Sequence, residues 1–406
     1  MNLPVRVRAT VGVEAVALEG GEGPLVEFLR AYRDAVQLIV DEIWGLERVP
    51  SRGKLHEVFY GKLRKLGFRA HHASEIYGRA REIVKATKGN KGSKPVLRRL
   101  TARVSTYDYE VDFDSKTLRV AVLNGHWVEL KLKLHRHLAR YLDGPWSLGE
   151  IQVSYRGGRV YVYLTFSKEV HLREPGAVMG VDVNFNNVTY TIVGLDGSLV
   201  SMGVIPFRGL GRALHLKKLA EKLQRKYPKS WRFMKWARRV RARWLRRARN
   251  VLTDSSHYIA KRIVEVAKEY GAVIALEDLG KLKKRNNGSK LSWESHLWCY
   301  ERVQSYIEYK ALVEGIGVVY VNPRGTSKTP PNGKSLVFIS YRLVKLGDAI
   351  TSRDVVASWN LALSGLKQMR GSRVRWSPDS PRGEVVRTRA KRGNPEGRGI
   401  STGIHS

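Results

Sequence analysis

The sequence predicts a mixed α/β and α+β protein in two folded parts: a β-barrel carrying a helical insert, then a layered α/β domain. Three observations point there. Residues 4–18, PVRVRATVGVEAVAL, alternate apolar and polar side chains as a half-buried strand does, and the alternation returns between 99 and 170. Between those strands the apolar residues fall at helical spacing instead. Beyond Pro175 single strands and helices succeed one another, the pattern of a mixed, layered domain.

The Gly-rich turn EGGEGP leads from the first strand into PLVEFLRAYRDAVQLIVDEIW, where Leu25, Phe28, Leu29, Tyr32, Val36, Ile39, Val40 and Ile43 share one helical face. Helix continues to residue 87 and carries His71 and His72, so a helical lobe spans about 24–90. The Gly/Lys-rich stretch KATKGNKGSKP ends it. TLRVAVL, WVELKLKL and EIQVSYRGGRVYVYLTF are alternating runs, the last one a hairpin turning at Arg156-Gly157-Gly158. These elements make a first domain over 1–174.

The second domain, over 175–366, opens on a strand at 178–194 that turns at Asp196-Gly197 into SLVSMGVIPF. A basic helical insertion follows at about 208–256. HYIAKRIVEVAKEYG (257–271) reads as a separate amphipathic helix, with Gly271 where a C-terminal cap belongs. The apolar strand AVIALEDL, a helix at 296–315, the strand GVVYVNP and a last helix at 354–366 complete it. The tail, 367–406, holds ten Lys/Arg against three Asp/Glu and no hydrophobic period, which predicts disorder.

Charge is the strongest global feature. The 406 residues carry 73 Lys+Arg against 37 Asp+Glu, a net charge of +36 that attracts polyanions, nucleic acid foremost. Cys299 is the single cysteine, which excludes a disulfide framework and a cysteine-based zinc site within the chain. No run approaches the ~20 apolar residues of a membrane span, and no signal sequence opens the chain. The expectation is an intracellular protein, cytoplasmic and nucleoid-associated, with no membrane partner.

Three carboxylates stand out. Asp182 interrupts the apolar strand GVDVNFNN, Glu277 ends VIALE, and Asp354 opens the final helix in TSRDVVASWNLAL. Strand-end carboxylates joined by one from a packed helix can meet in one pocket, where they repel one another unless cations neutralise them. Mg²⁺, with Mn²⁺ as an alternative, suits such oxygen ligands, and a pair of such ions can drive phosphodiester cleavage. Each residue also has a plainer role. Asp354 could be a helix N-cap, and Glu277, beside Asp278, an exposed strand-end acid; Asp182, flanked by Val181 and Val183, is the hardest to place otherwise.

GVDVNFNN, IALEDLGKL and SRDVVASWNLAL, in that order, resemble the three nuclease motifs of the TnpB/OrfB proteins of insertion sequences, relatives of the type V CRISPR effectors. The resemblance implies a wedge-like barrel with helical lobe, then a RuvC-like, RNase H-fold nuclease with a basic helical insertion. It also implies an RNA-guided, Mg²⁺-dependent DNA endonuclease of a mobile element, often labelled a transposase, with Asp182, Glu277 and Asp354 as catalytic and metal-binding residues. Guide RNA and double-stranded DNA would be its partners, with sequence read mainly by base pairing. The family's four-cysteine zinc ribbon is missing: the interval at about 326–352 has no cysteine, so no zinc is expected, and LVFISYRLV reads as a hairpin held by other packing. Ser352 stands where an acid is common.

Residues 208–250 hold seventeen Lys/Arg against one acid, Glu221. Arg238, Arg239, Arg241, Arg243, Arg246, Arg247 and Arg249, interleaved with tryptophans, are expected to bind nucleic acid, since so lopsided a block repels itself without a polyanion. His257 is expected to be structural and Cys299 a small buried hydrophobe. Two alternatives share the fold. One is a guide-loaded, non-cleaving DNA-binding regulator or decayed copy; the other is a structure-specific nuclease acting on branched DNA.

Overall fold

The computed structural model describes residues 4–278, 300–322, 329–333, 335–340 and 342–371. They form two compact units, one over Arg8–Lys168 and one over the described residues of Met1–Val7 and Glu169–Ser406. Cys299, the NPRGTSK stretch beyond Asn322 and residues 372–406 lie outside the described residues. Among those described, no helix is long and apolar enough to cross a membrane.

The first unit runs β1 (Val5–Ala17), α1 (Glu22–Trp44), α2 (Arg52–Lys65), α3 (Ala70–Gly89), β2 (Leu100–Val104), β3 (Tyr109–Asp112), β4 (Thr117–Ala121), β5 (Trp127–Lys133), α4 (Arg136–Leu142), β6 (Ser147–Arg156) and β7 (Arg159–Val170). Its seven strands lie in the order β2-β6-β7-β1-β5-β4-β3. The Tyr109 hydroxyl, on the last strand of that order, donates to the Gly149 carbonyl in β6 at 2.7 Å. The sheet therefore curls until its last strand, β3, meets β6, the strand next to the opposite edge. One core joins helices and sheet, because the α1 face of Leu25, Phe28, Leu29, Ile39 and Ile43 meets inward strand residues such as Val13, Leu130, Val153 and Leu164. The β6–β7 turn falls on Gly157 and Gly158, whose φ of 57° and 74° only glycine adopts at little cost. Helix α4 has no counterpart in the sequence reading: seven residues with two buried side chains, Leu138 and Tyr141, are too few to show a period.

The second unit continues with β8 (Ala177–Val183), β9 (Asn187–Gly194), β10 (Leu199–Pro206), α5 (Leu210–Lys226), α6 (Lys235–Glu269), β11 (Ala272–Glu277), α7 (Tyr300–Val313), β12 (Val318–Val321), β13 (Leu336–Phe338), β14 (Leu343–Leu346), β15 (Ala349–Ser352) and α8 (Arg353–Gly371). Five strands form one sheet in the order β10-β9-β8-β11-β12. β9 runs antiparallel to both β10 and β8, and β11 runs parallel to both β8 and β12. Met179, Val181, Ile274 and Leu276 point to one face, under α6 and α7; Val178, Ala275 and Val319 point to the other, under α8. Burial on both faces explains why these strands read as continuous apolar runs.

A strand and two helices depart from the sequence reading. The single strand expected at 178–194 is two, β8 and β9, which pair antiparallel across a turn closed by the Asn184 amide donating to the Asn187 carbonyl at 2.9 Å. A separate helix at 257–271 is instead the second half of α6, which runs unbroken for 35 residues. NVLTDSS has capping residues but no Gly or Pro, and the Ser256 hydroxyl donates back to the Leu252 carbonyl at 2.7 Å rather than starting a new helix. Helix α8 reaches Gly371, five residues beyond the expected 366. The hairpin expected at 336–344 is present as β13–β14, and β15 adds a third strand.

Helix α8 sits directly on β8. A Cβ at Gly180 would overlap the Ser358 carbonyl oxygen and the Ala362 amide nitrogen, and one at Gly365 would stand 2.7 Å from Cβ of Ala275. The Thr191 and Ser358 hydroxyls share a buried hydrogen bond of 2.7 Å across the same contact. Gly180→Ala must push the helix backbone off the sheet, and we expect it to destabilise this unit by about 3 kcal/mol in urea unfolding. Gly176→Ala, where an added Cβ meets nothing within 4 Å, should change stability by less than about 0.5 kcal/mol.

Candidate functional site

The face of the sheet under α8 gathers the three carboxylates. Successive side chains of a strand alternate between faces, so Asp182 shares its face with Val178 and Gly180. On β11 the register pairs Leu276 with Val181, which carries Glu277 opposite Asp182 and onto that same face. Asp354 lies in the first turn of α8, the helix that covers it. Asp182 is 9% exposed, and its carboxyl is pushed up to about 7, first by burial, then by the charge of Glu277 and, more weakly, of Asp354. The Asn184 amide donates to its Oδ2 at 2.9 Å and opposes the rise only partly.

Its two companions are half-buried. Burial raises the Glu277 carboxyl, and burial raises that of Asp354 against the pull of Arg342 and Arg353. The plainer role of Asp354 is already taken. Ser352 caps α8, its hydroxyl accepting from the Val355 amide at 3.2 Å, so Asp354 is not the N-cap. Glu277 is not an exposed strand-end acid either: its carboxyl is half-buried and raised by that burial, and the Gln304 amide of α7 donates to its backbone carbonyl at 3.1 Å. Tyr300 lies alongside, its hydroxyl raised by burial and next by the Glu277 charge.

The donor set is all carboxylate oxygen, which suits a hard divalent cation, and among the described residues no Lys or Arg offsets the burial of Asp182. Among the described residues, though, no three His, Cys, Asp or Glu side chains are drawn close enough to hold a metal unaided. The carboxylates thus share a face without forming a closed cage.

The arginines form a second feature, along α6. Arg238, Arg239, Arg243, Arg246, Arg247 and Arg249 are exposed, whereas Arg241 is half-buried with its guanidinium 4.7 Å from the Trp231 ring centre. Among the described residues none of the seven pairs with a carboxylate. His257 stacks on Tyr306 at 3.9 Å, and burial with nearby Lys310 lowers its pKa. It serves the α6–α7 packing.

The family model described as "Cas12f1-like, TNB domain" matches residues 300–361, from α7 into α8. A TnpB-like protein of Methanocaldococcus jannaschii is 26% identical over 260 residues, 61% of this chain and 91% of that protein. The CRISPR-associated endodeoxyribonuclease Cas12f2 of a Micrarchaeota archaeon is 31% identical over 96 residues, 23% of this chain and 18% of that protein. A cryo-EM structure of a Cas12f1–sgRNA–target DNA complex aligns with a TM-score of 0.59 at 17% identity, covering 84% of this chain and 82% of that one. The chain is related to the TnpB-like and Cas12 proteins. Its mixed α/β fold is that of the Cas12f1 structure.

Sequence reasoning about this TnpB/Cas12 relative missed the residues that hold the carboxylates. Asn184 sits inside the GVDVNFNN motif, and a polar residue two positions past a buried Asp at a strand end was its signal. Ser352, noted only as a departure from the family, supplies the cap. Gln304 gave no signal beyond being a polar residue on an apolar helix face.

A carboxyl raised from 3.8 to about 7 keeps its proton in the folded chain where the unfolded chain has lost it. Stability then falls as pH rises from 4 to 7 and levels off above, at a cost of about 4 kcal/mol. Asp182→Asn removes that cost. In EDTA the variant should resist thermal unfolding better than wild type at pH 8, and the advantage should vanish near pH 4.

Proposed function

We propose that the chain is an RNA-guided DNA endonuclease with Asp182, Glu277 and Asp354 as its catalytic, Mg²⁺-binding carboxylates. The observation that carries this reading is Asp182, buried without a compensating cation among the described residues, on a face shared with Glu277 and covered by the helix bearing Asp354. Three antiparallel strands continued by two parallel ones, with α8 across them, support a RuvC-like, RNase H-type nuclease. The curled seven-stranded sheet with its three helices supports a wedge-like barrel with helical lobe.

Asp182, Glu277 and Asp354 would together hold the metal ions. Bound Mg²⁺, or Mn²⁺ in its place, supplies a water of lowered pKa and stabilises the leaving 3′ oxygen. The chain's own part is to hold the donors. Asn184 fixes the Asp182 carboxylate, Gln304 pins the backbone at Glu277, and the Ser352 cap sets the first turn bearing Asp354. Arg342 and Arg353 add positive charge beside Asp354, where a phosphate has to arrive.

Guide RNA and double-stranded DNA are the partners this reading assigns, in keeping with the names of the Cas12f2 and Cas12f1 relatives. The α6 arginines would follow the phosphate backbone. The β13–β15 sheet would fold without zinc, on the packing of Val344 and Leu346. A non-cleaving, guide-loaded binder is the second reading, favoured by the open arrangement of the carboxylates.

RNA that co-purifies with the protein, once sequenced, defines a matched DNA target. Cutting of that target is expected in Mg²⁺ and not in EDTA. Asp182→Ala should lower it about 100-fold or more while the RNA stays bound. Unchanged cutting by the variant overturns the site, RNA-loaded wild type that never cuts favours the binder, and cutting of branched DNA without RNA points to a structure-specific nuclease.

A further inference from the structure

The turn between α5 and α6 carries an aromatic cluster that the carboxylate site does not use. Phe233 is 85% exposed, and among the described residues it has no ring or cation partner. Trp236, three residues on, is 49% exposed and meets Tyr227 edge-on at 5.6 Å. A single exposed apolar residue needs no explanation. Two further observations set this one apart.

The first is that the turn is built rather than slack. The Trp231 amide donates to the Tyr227 carbonyl at 3.1 Å, that of Phe233 to Ser230 at 2.9 Å, and that of Arg238 to Met234 at 3.1 Å. A short 3₁₀ turn over Ser230–Arg232 links the two helices, and Lys229 before it takes a left-handed φ of 63°. Phe233 is therefore presented from an ordered corner. The second is charge. Between residues 222 and 253 stand thirteen Lys/Arg and no Asp or Glu. Lys226, Lys229, Arg232 and Lys235 flank the aromatic residues themselves. An apolar partner would leave those cations unanswered, whereas a nucleobase offers a ring face joined to a phosphate.

We infer that Phe233, with the half-exposed Trp236 three residues on, stacks on an unpaired nucleobase, at the opened fork of a duplex or in a single strand, while the neighbouring cations hold its phosphates. This rests on the reading of α6 as a nucleic-acid surface and adds to it a contact that backbone binding does not need. An aromatic face accepts any base, so the corner senses whether a base is unstacked and not which base it is.

The test uses the full chain and a short oligonucleotide bearing 2-aminopurine, as single-stranded DNA, as RNA of the same sequence, and as blunt DNA duplex. Phe233→Ala should leave the melting temperature unchanged. It should weaken single-strand binding about tenfold, reduce the quenching of 2-aminopurine, and leave the slope of log K against log[salt] as in wild type. Phe233→Trp should restore binding. The DNA and RNA arms report which strand the corner prefers. Wild-type affinity in Phe233→Ala, an equal loss on blunt duplex, or failure of Phe233→Trp to restore binding overturns the inference. Arg238→Ala with Arg239→Ala should instead lower the salt slope by roughly 2. If that slope does not move, it is the reading of α6 as a nucleic-acid surface that fails, whatever Phe233 does.

Discussion

The seat of α8 on β8 determines where the charges of the second unit come to rest. Gly180 lets the helix backbone approach the strand at a distance no side chain permits, and Gly365 repeats the device against Ala275 one strand away. With the helix held there, its first turn falls over the strand ends, and Asp354 has nowhere to go but toward the face of Asp182 and Glu277. A helix N-terminus favours a carboxylate in that turn, yet burial outweighs it and the Asp354 carboxyl is raised. Close packing therefore works against the comfort of the charges it brings together. Their repulsion is a consequence of how the helix lies, rather than a local accident at one residue.

Most of the fold was legible because its signals are local. Alternation marked the strands, the 3.6-residue period marked α1, and two adjacent glycines marked the β6–β7 turn. What failed was punctuation. NVLTDSS looks like a helix start, since Ser, Thr and Asp favour caps. Inside α6 the Ser256 hydroxyl bonds back to the Leu252 carbonyl in the preceding turn, and the helix passes through. Helix α4 failed for the opposite reason, too short for any period to form.

The site was legible as three residue types on three elements, but not as a geometry. Which face Asp182 takes depends on the β8–β11 register, a pairing between residues nearly a hundred apart in sequence. The same holds for the supports. Asn184 and Ser352 lie within a few residues of the carboxylates they serve and were visible as polar residues at element ends. Gln304 reaches Glu277 from α7 only after that helix docks, and no local pattern encodes a docked position. Local chemistry is written in the sequence, whereas the convergence of distant elements is a product of packing.

The charge distribution then sets a problem that the molecule has to solve. A chain of +36 draws a polyanion toward itself, while the face that the proposed function assigns to it carries three carboxyl groups, the most buried of which, Asp182, is held toward its protonated form. In a partly desolvated pocket, the repulsion between a carboxylate and an arriving phosphate far exceeds its value in water. Arg342 and Arg353 answer part of it beside Asp354, whereas at Asp182 the support given by the described residues is the neutral Asn184 amide. A divalent cation held by these carboxylates, as the proposed function requires, would reverse the sign of that contact and favour the ionised form of Asp182. The open arrangement of the three donors is compatible with this division of labour, because oxygen atoms from the substrate itself can supply the ligands the protein does not.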